Sequence, residues 1–223
     1  MARQPRAVFG GLPHLLSLRV QHQQTLAADD ADRAAALHLL SDSMRSADVL
    51  MHAYGLDDQQ VELVVTPPSA EVLSRAMQGF ARRHAAAFNR RHGRRGSLWA
   101  GRFEAAALES EPWLLRAMLR VEQAPTGGWR GVSSAAHHCG LVADARISEP
   151  AVFWALGNTP FERDQRYRAA LSEPLPQMWR ASMDEALRGG WPLGSAAFVA
   201  RLSEQIARPL SRRLPGRPRS AAS

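Results

Sequence analysis

The chain has 223 residues, of which 45% are hydrophobic, and a formal net charge of +7. This length allows one ordinary domain with an extension or two small domains, and this composition allows a buried core, which excludes a wholly disordered chain. No apolar run approaches the roughly 20 residues that span a bilayer, so we expect no membrane segment. The positive net charge favours an anionic partner.

The cysteine content and the first residues bear on the compartment. A single cysteine, Cys139, excludes an internal disulfide and is typical of a reducing environment. The opening residues MARQPRAVFGGLPH are charged but precede no sustained apolar stretch, so no signal peptide is expected. We therefore expect a cytoplasmic protein.

The hydrophobic pattern predicts seven elements before residue 125. They are a strand at 14–20, a helix at 31–46 capped by Asp29 or Asp30, strands at 48–54 and 60–66, a helix capped by Ser69 that ends near 91, a strand at 98–108 and a helix at 111–123. The order strand, helix, strand, strand, helix, strand, helix is that of the ferredoxin-like split pattern. We therefore predict an α+β fold, with an antiparallel sheet of about four strands and helices on one face.

The second predicted helix and the loop after it contain a concentration of arginine. From Val72 to Phe103 there are eight arginines and no acidic residue, and the whole chain has no lysine. Arginine pairs with phosphate through two parallel hydrogen bonds and stacks on flat rings, which favours a nucleic-acid partner. A bias from lysine codons to arginine codons explains the missing lysine but not the missing acids, and a solvated surface remains an alternative.

Seven arginines of this run are the candidates for phosphate contact: Arg82, Arg83, Arg90, Arg91, Arg94, Arg95 and Arg102. Glycines in the loop that follows the helix allow a strand to approach the backbone closely. Trp99 could stack on a base, although core packing is the favoured interpretation for Trp99 and Phe103. His84 lies on the apolar face of the helix and is interpreted as a core residue.

Three blocks of this sequence resemble the REP-associated tyrosine transposases, a group of the single-tyrosine HUH transposases. The blocks are HAYGLDDQQVELVVTPP (52–68), SRAMQGFARRHAAAFNRRHGRRGSLWAGRF (74–103) and AMLRVEQAP (117–125). The resemblance implies a ferredoxin-like domain that binds hairpin or single-stranded DNA during DNA transposition. It also implies a tyrosine nucleophile and two histidines on one strand that hold a divalent metal ion.

The residues at the implied catalytic positions differ from the family's pattern. Gln60 and Glu62 stand where the histidines are expected, Arg120 stands at the nucleophile, and Ala124 replaces an asparagine. Arginine stays protonated and cannot serve as the nucleophile. Gln60 and Glu62 could offer oxygen ligands to a metal ion, but one carboxylate and one amide make a weak site.

We therefore predict a catalytically degenerate DNA-binding protein without a catalytic residue or a bound metal. Two alternatives stay open: an active strand transferase with a non-standard site, and an interaction protein or decaying remnant without a role on DNA.

The sequence also suggests a division of the chain. We predict a DNA-binding domain at 1–125, a linker at 126–149, a helical extension at 150–207 and a basic disordered tail at 208–223. The tail contains Gly-Arg-Pro around Arg217, which resembles an AT-hook core and would be an auxiliary DNA anchor. A basic tail without specific contacts is the alternative, and a homodimer is left open.

Overall fold

A computed structural model describes residues 7–123, 132–206 and 209–210. The strands are β1 (His14–Arg19), β2 (Leu50–Leu56), β3 (Gln60–Thr66), β4 (Glu104–Ala107) and β5 (Val132–Ser133). The helices are α1 (Asp30–Arg45), α2 (Ala70–Arg91), α3 (Leu115–Glu122), α4 (Ala135–His138), α5 (Ala151–Trp154), α6 (Pro160–Ser172), α7 (Gln177–Gly189) and α8 (Ala196–Gln205). None of the helices in these ranges combines the length and the apolarity needed to cross a membrane.

The two long helices begin where the sequence predicts. The Asp29 side chain accepts a hydrogen bond from the Asp32 amide at the start of α1, and the Ser69 hydroxyl accepts one from the Val72 amide at the start of α2. Each cap satisfies an amide that has no partner within its helix. The turn between β2 and β3 is held by Asp57, whose carboxylate accepts hydrogen bonds from the backbone amides of Gln59 and Gln60.

The five strands form one antiparallel sheet in the order β4-β1-β3-β2-β5. The first four strands follow the arrangement expected for a split strand–helix–strand pattern, in which β1 and β3 are the inner strands. The α+β prediction is confirmed. In the register, Ser17 of β1 lies between Glu62 of β3 and Glu104 of β4.

Two predicted elements are shorter in the structure than in the sequence interpretation. The strand predicted at 98–108 is regular only from Glu104, because Trp99 turns into the core, where its indole N–H donates to the Ala81 carbonyl at 2.8 Å. The helix predicted from residue 111 becomes regular at Leu115. Before it, Glu111 is extended (φ −107°, ψ 126°), a conformation favoured for a residue that precedes proline.

Each face of the sheet covers its own hydrophobic core. Leu16 and Leu63 point toward α1 and α2, whereas Leu15 and Val64 point toward α3 and the C-terminal helices. This division follows from the alternation of side chains along a strand. Helices therefore pack on both faces rather than on the one face predicted, because α3 together with α5, α6 and α7 covers the second face.

The described part of the predicted linker packs on the sheet. β5 pairs with the end of β2, and the Ser148 amide donates to the Met51 carbonyl. Residues 126–131 of the predicted linker lie outside the described residues, as does most of the predicted tail. The division of the chain into domains stays a prediction.

A buried carboxylate joins two later segments, α4 with its N-cap Ser134 and α6, to α3. Glu122 accepts hydrogen bonds from the Ser134 hydroxyl, from His138 Nδ1 at 2.7 Å and from the Tyr167 hydroxyl at 2.6 Å. His138 and Tyr167 are fully buried. A buried carboxylate needs such donors, because burial without them is costly. Glu122 thus fixes the last turn of α3, which also carries Arg120.

Candidate functional site: the arginine face of α2 and the pocket at Arg120

The helix α2 has one apolar face and one basic face. Its apolar residues pack into the core beside the sheet, as predicted: Leu73, Met77, Phe80, His84 and Phe88 are buried. Burial lowers the pKa of His84 to about 4, so its ring is neutral at neutral pH. The interpretation of His84 as a core residue is confirmed. The arginines of α2 lie at exposed positions of the helix.

Four of the seven candidate arginines are exposed and have no salt bridge or side-chain hydrogen bond to any residue that the structure describes. These are Arg82, Arg90, Arg95 and Arg102. Their charge is therefore available to an external anion. The acid-free stretch of sequence thus contributes four exposed, unneutralised arginines to the surface of the described structure.

The other three candidates already have partners within the chain. Arg83 Nη2 donates to the Leu39 carbonyl and to the Ser43 hydroxyl of α1, and Arg94 donates to the Gln24 side chain. Arg91 forms a two-pronged ion pair with Asp29 and a further one with Asp32. These ion pairs join the end of α2 to the start of α1. The two aspartates largely compensate the charge of Arg91.

The ion pairs shift the ionisation of both aspartates. The hydrogen bond from Arg91 lowers the pKa of Asp29 from 3.8 to about 2. Burial works to raise the pKa of Asp32, but hydrogen bonds from the Ala28 amide, Arg91 and His92 outweigh it, and that pKa falls below its ordinary value. No local sequence pattern predicts these partners, because Asp29 is 62 residues from Arg91.

The loop after α2 is shaped by two glycines. Gly93 and Gly96 have φ values of +61° and +93°, in the left-handed region that favours glycine. The Asn89 side-chain amide donates to the Gly96 carbonyl, and the Arg94 amide donates to the Asn89 carbonyl. This loop places Arg95 at the end of the basic face of α2.

Trp99 and Phe103 belong to the core beside α2 and are 8% and 6% exposed. The favoured interpretation of core packing is confirmed for both residues, and neither ring is free to stack on a base.

The residues at the implied catalytic positions meet on the other face of the sheet. Gln60 and Glu62 of β3 line a small pocket of about 140 Å³ with Arg120 of α3. Arg120 Nη2 lies 2.8 Å from Glu62 Oε1 and 2.8 Å from Asp184 Oδ1 of α7. Ala124, the fourth position, lies outside the described residues, as does Arg217.

The close approach of α3 to the sheet depends on Gly55. A Cβ atom at this position would lie 2.3 Å from the Val121 carbonyl oxygen, so any larger residue would push α3 away from β2. The missing side chain of Gly55 therefore allows Arg120 to reach Glu62.

The pocket is electrostatically satisfied from within. Burial by itself would lower the pKa of Arg120, but the carboxylates of Glu62 and Asp184 outweigh it and raise that pKa. Glu62 and Arg120 are only 7% and 9% exposed. Removing one partner of such a buried pair strongly destabilises the folded protein, because the other charge is left uncompensated. The guanidinium is thus a structural cation at this place.

These residues do not fit the divalent metal ion that the sequence resemblance implies. Glu62 Oε1 is already bonded to the Arg120 guanidinium, and Gln60 contributes only an amide. Among the described residues there is no group of three or more His, Cys, Asp or Glu that could hold a metal ion. We therefore derive no step through a metal here.

Neither tyrosine of the chain can replace the missing nucleophile. Tyr54 and Tyr167 are 3% and 0% exposed, and their hydroxyls donate to Asp144 and Glu122 respectively. Burial, followed by the carboxylate partner, raises the pKa of each hydroxyl above its ordinary value. Both groups are therefore inaccessible and poorly suited to attack a phosphate.

Two residues of the pocket could not be found by sequence reasoning. Arg180 and Asp184 come from α7, about 60 positions after Arg120, and no local pattern connects them with β3. The structure also separates the pocket from the arginine face, since α2 lies on the opposite side of the sheet from α3.

Comparisons with known proteins give distant likenesses to solved structures, two of which are described below. No protein-family model matches the chain, and no curated protein matches it. A solved REP-associated tyrosine transposase bound to a REP hairpin is similar with a TM-score of 0.47 at 10% identity, over 67% of this chain and 99% of that one. A crystal structure of a candidate transposase from Deinococcus radiodurans has a TM-score of 0.37 at 19% identity, over 53% and 92% of the two chains. Such scores carry no argument about function.

Proposed function

We propose that this protein binds DNA, in hairpin or single-stranded form, through the arginine face of α2 and the loop after it. The observation that carries the proposal is the set of four exposed arginines that have no partner among the residues the structure describes: Arg82, Arg90, Arg95 and Arg102. Unpaired guanidinium groups neutralise backbone phosphates and release counterions, which supplies most of the affinity for a nucleic acid. The resemblance of residues 74–103 to a transposase block supports DNA as the polymer.

The seven candidate arginines have different roles in this proposal. The four unpaired residues contact phosphates directly, whereas Arg83 and Arg94 are held in place by internal hydrogen bonds and add positive potential. Arg91 is structural, because its ion pairs with Asp29 and Asp32 already use its charge. Arg217 remains an auxiliary anchor in the proposal.

We further infer that the protein does not cut the DNA that it binds. The support comes from the pocket, where Arg120 stands between Glu62 and Asp184 in place of a nucleophile. The two tyrosines are buried and bonded elsewhere. The function is therefore one of DNA binding in a transposition-related context, with strand cleavage lost.

The salt dependence of binding tests this proposal. Affinities for hairpin, single-stranded and duplex DNA are measured by fluorescence anisotropy between about 50 mM and 200 mM salt. Replacing Arg90, Arg95 and Arg102 with alanine should lower the affinity and reduce the slope of log K against log salt by about 2 to 3, since each phosphate contributes about 0.7 to 0.9.

A matched control is Arg188→Ala, which removes an exposed arginine from the last turn of α7 on the other face of the sheet. Its affinity and slope should equal those of the parent. The proposal is wrong if the parent binds none of the three DNAs, or if the triple variant keeps the parent slope.

A further inference from the structure

An open groove runs between the C-terminal part of α1 and the first half of α2. It has a volume of about 580 Å³, and its α2 lining extends from Val72 to Arg83. The α1 side contributes the hydroxyls of Ser43 and Ser46. The α2 side contributes three arginines, Arg75, Arg82 and Arg83.

The charge of this groove favours an anion. Asp48 is the one acidic residue among those that line it, so the lining has a net charge of +2 from three arginines and one aspartate. Arg75 and Arg82 are exposed and form no salt bridge with any residue in the described ranges. Arg83 is oriented by its hydrogen bonds to Leu39 and Ser43, so its position costs little on binding.

The floor of the groove contains a glycine that the fold does not require. Gly79 lies in the interior of α2 with a backbone conformation outside the left-handed region, and a Cβ atom there would meet no atom of the described residues within 4 Å. Glycine in a helix interior is less stable than alanine. Because neither backbone geometry nor internal packing explains Gly79, its missing side chain leaves room for something from outside the chain.

We propose that this groove seats the backbone of a nucleic-acid strand and that Gly79 permits the close approach. This inference rests on the proposed function and adds Arg75, which the sequence interpretation did not include, to the phosphate-binding residues. Arg75 and Arg82 are seven residues apart and share one face of α2, about 10 Å from each other. Arg90 continues the same side of the helix.

The length of this arginine row defines the occupant. From Arg75 to Arg90 the helix rises by about 22 Å. A stacked strand rises about 3.4 Å per nucleotide, so the row matches about six or seven nucleotide steps. A nucleic-acid strand therefore fits the row, whereas a single phosphate or nucleotide would engage only one end of it.

Gly79→Met and Arg75→Ala test the groove. Gly79→Met should raise or preserve the melting temperature, because methionine is a better helix former, and yet weaken binding of a single strand of about 12 nucleotides by about tenfold. Arg75→Ala should reduce the salt slope by about one. Ala35→Met, which adds the same side chain at an exposed position of α1 outside the groove, is the matched control and should leave affinity unchanged.

Strand length and inorganic phosphate separate the possible occupants. The parent should gain affinity as strands lengthen from about four to about eight nucleotides, and Gly79→Met should show a smaller gain. Equal affinity of Gly79→Met and the parent would overturn the groove while leaving the proposed function intact. Competition by inorganic phosphate with no dependence on strand length would instead indicate a small-anion site. A parent that binds no DNA removes both proposals.

Discussion

Arg120 donates a hydrogen bond to Glu62 across 2.8 Å, and the same nitrogen is 2.8 Å from Asp184. The pair joins α3 to the sheet at the place where the resemblance implies a nucleophile facing metal ligands. The two members are almost completely buried. Arg120 at the implied nucleophile position and Glu62 at an implied metal-ligand position are compatible with each other, since the guanidinium supplies the positive charge that the buried carboxylate needs.

The first prediction concerns the stability of this pair. Arg120→Met should destabilise the protein by about 3 to 5 kcal/mol, because it leaves a buried carboxylate uncompensated. The double variant Arg120→Met with Glu62→Leu should recover much of that loss, since it replaces two buried charges with apolar groups. Urea unfolding measures both. Additive losses in the double variant would show that the two charges are not coupled.

The second prediction concerns strand cleavage. The protein incubated with a labelled DNA hairpin and Mg²⁺ or Mn²⁺ should form no covalent adduct that survives denaturing electrophoresis, because both tyrosines are buried and bonded to carboxylates. An adduct that disappears in Tyr54→Phe or Tyr167→Phe would contradict this expectation and favour an active strand transferase.

The third prediction separates the structural arginine from the DNA-contacting ones. Arg91→Ala should reduce stability at neutral pH and leave the salt slope of DNA binding almost unchanged, because the charge of Arg91 is compensated by Asp29 and Asp32. Arg90 has no partner among the described residues, so Arg90→Ala should leave stability almost unchanged and reduce the salt slope. A loss of slope in Arg91→Ala equal to that in Arg90→Ala would refute the distinction.

A fourth prediction follows from the lowered pKa of Asp29. The folded state holds this pKa at about 2, below the ordinary 3.8, so the folded state binds fewer protons between these values. The contribution of Asp29 to the free energy of unfolding is complete above pH 3.8 and is lost as the pH falls toward 2. Unfolding midpoints measured across this range should therefore fall with acidity, and they should fall less steeply in Arg91→Ala.

The fifth prediction concerns the buried carboxylate on α3. Tyr167→Phe should destabilise the protein by about 1 to 3 kcal/mol, because Glu122 Oε2 loses the hydroxyl that donates to it at 2.6 Å. Phe161→Leu, a change at an exposed position of the same helix, is the control and should have little effect. Equal unfolding midpoints for Tyr167→Phe and the parent would show that the hydroxyl is dispensable.

Local chemistry made much of the fold predictable. Asp29 and Ser69 are good caps, and the apolar spacing of α2 is regular, so the bounds of the first two helices agree closely with the structure. The pairing of β5 with β2 could not be predicted, because Val132–Ser133 is too short to show alternation. The loss of regular strand at the start of the segment predicted at 98–108 depends on where the indole of Trp99 finds an acceptor, which is a tertiary contact.

The candidate site was predictable only in part for the same reason. Arginine content was visible in the sequence, but whether a given guanidinium is free depends on partners brought from far along the chain. Arg90 and Arg91 are neighbours in sequence, and only Arg91 meets the aspartates of α1. Asp184 reaches Arg120 from a helix that no local pattern connects with β3.

The placement of α2 and Arg120 on opposite faces of the sheet has an evolutionary consequence. Substitutions at distant sites that share no partners have additive effects on free energy, so we expect changes around the pocket to be uncoupled from changes on the arginine face. Under the proposed function, residues of the pocket can therefore change one at a time without a penalty in DNA affinity. Natural selection can then act on the remaining face alone.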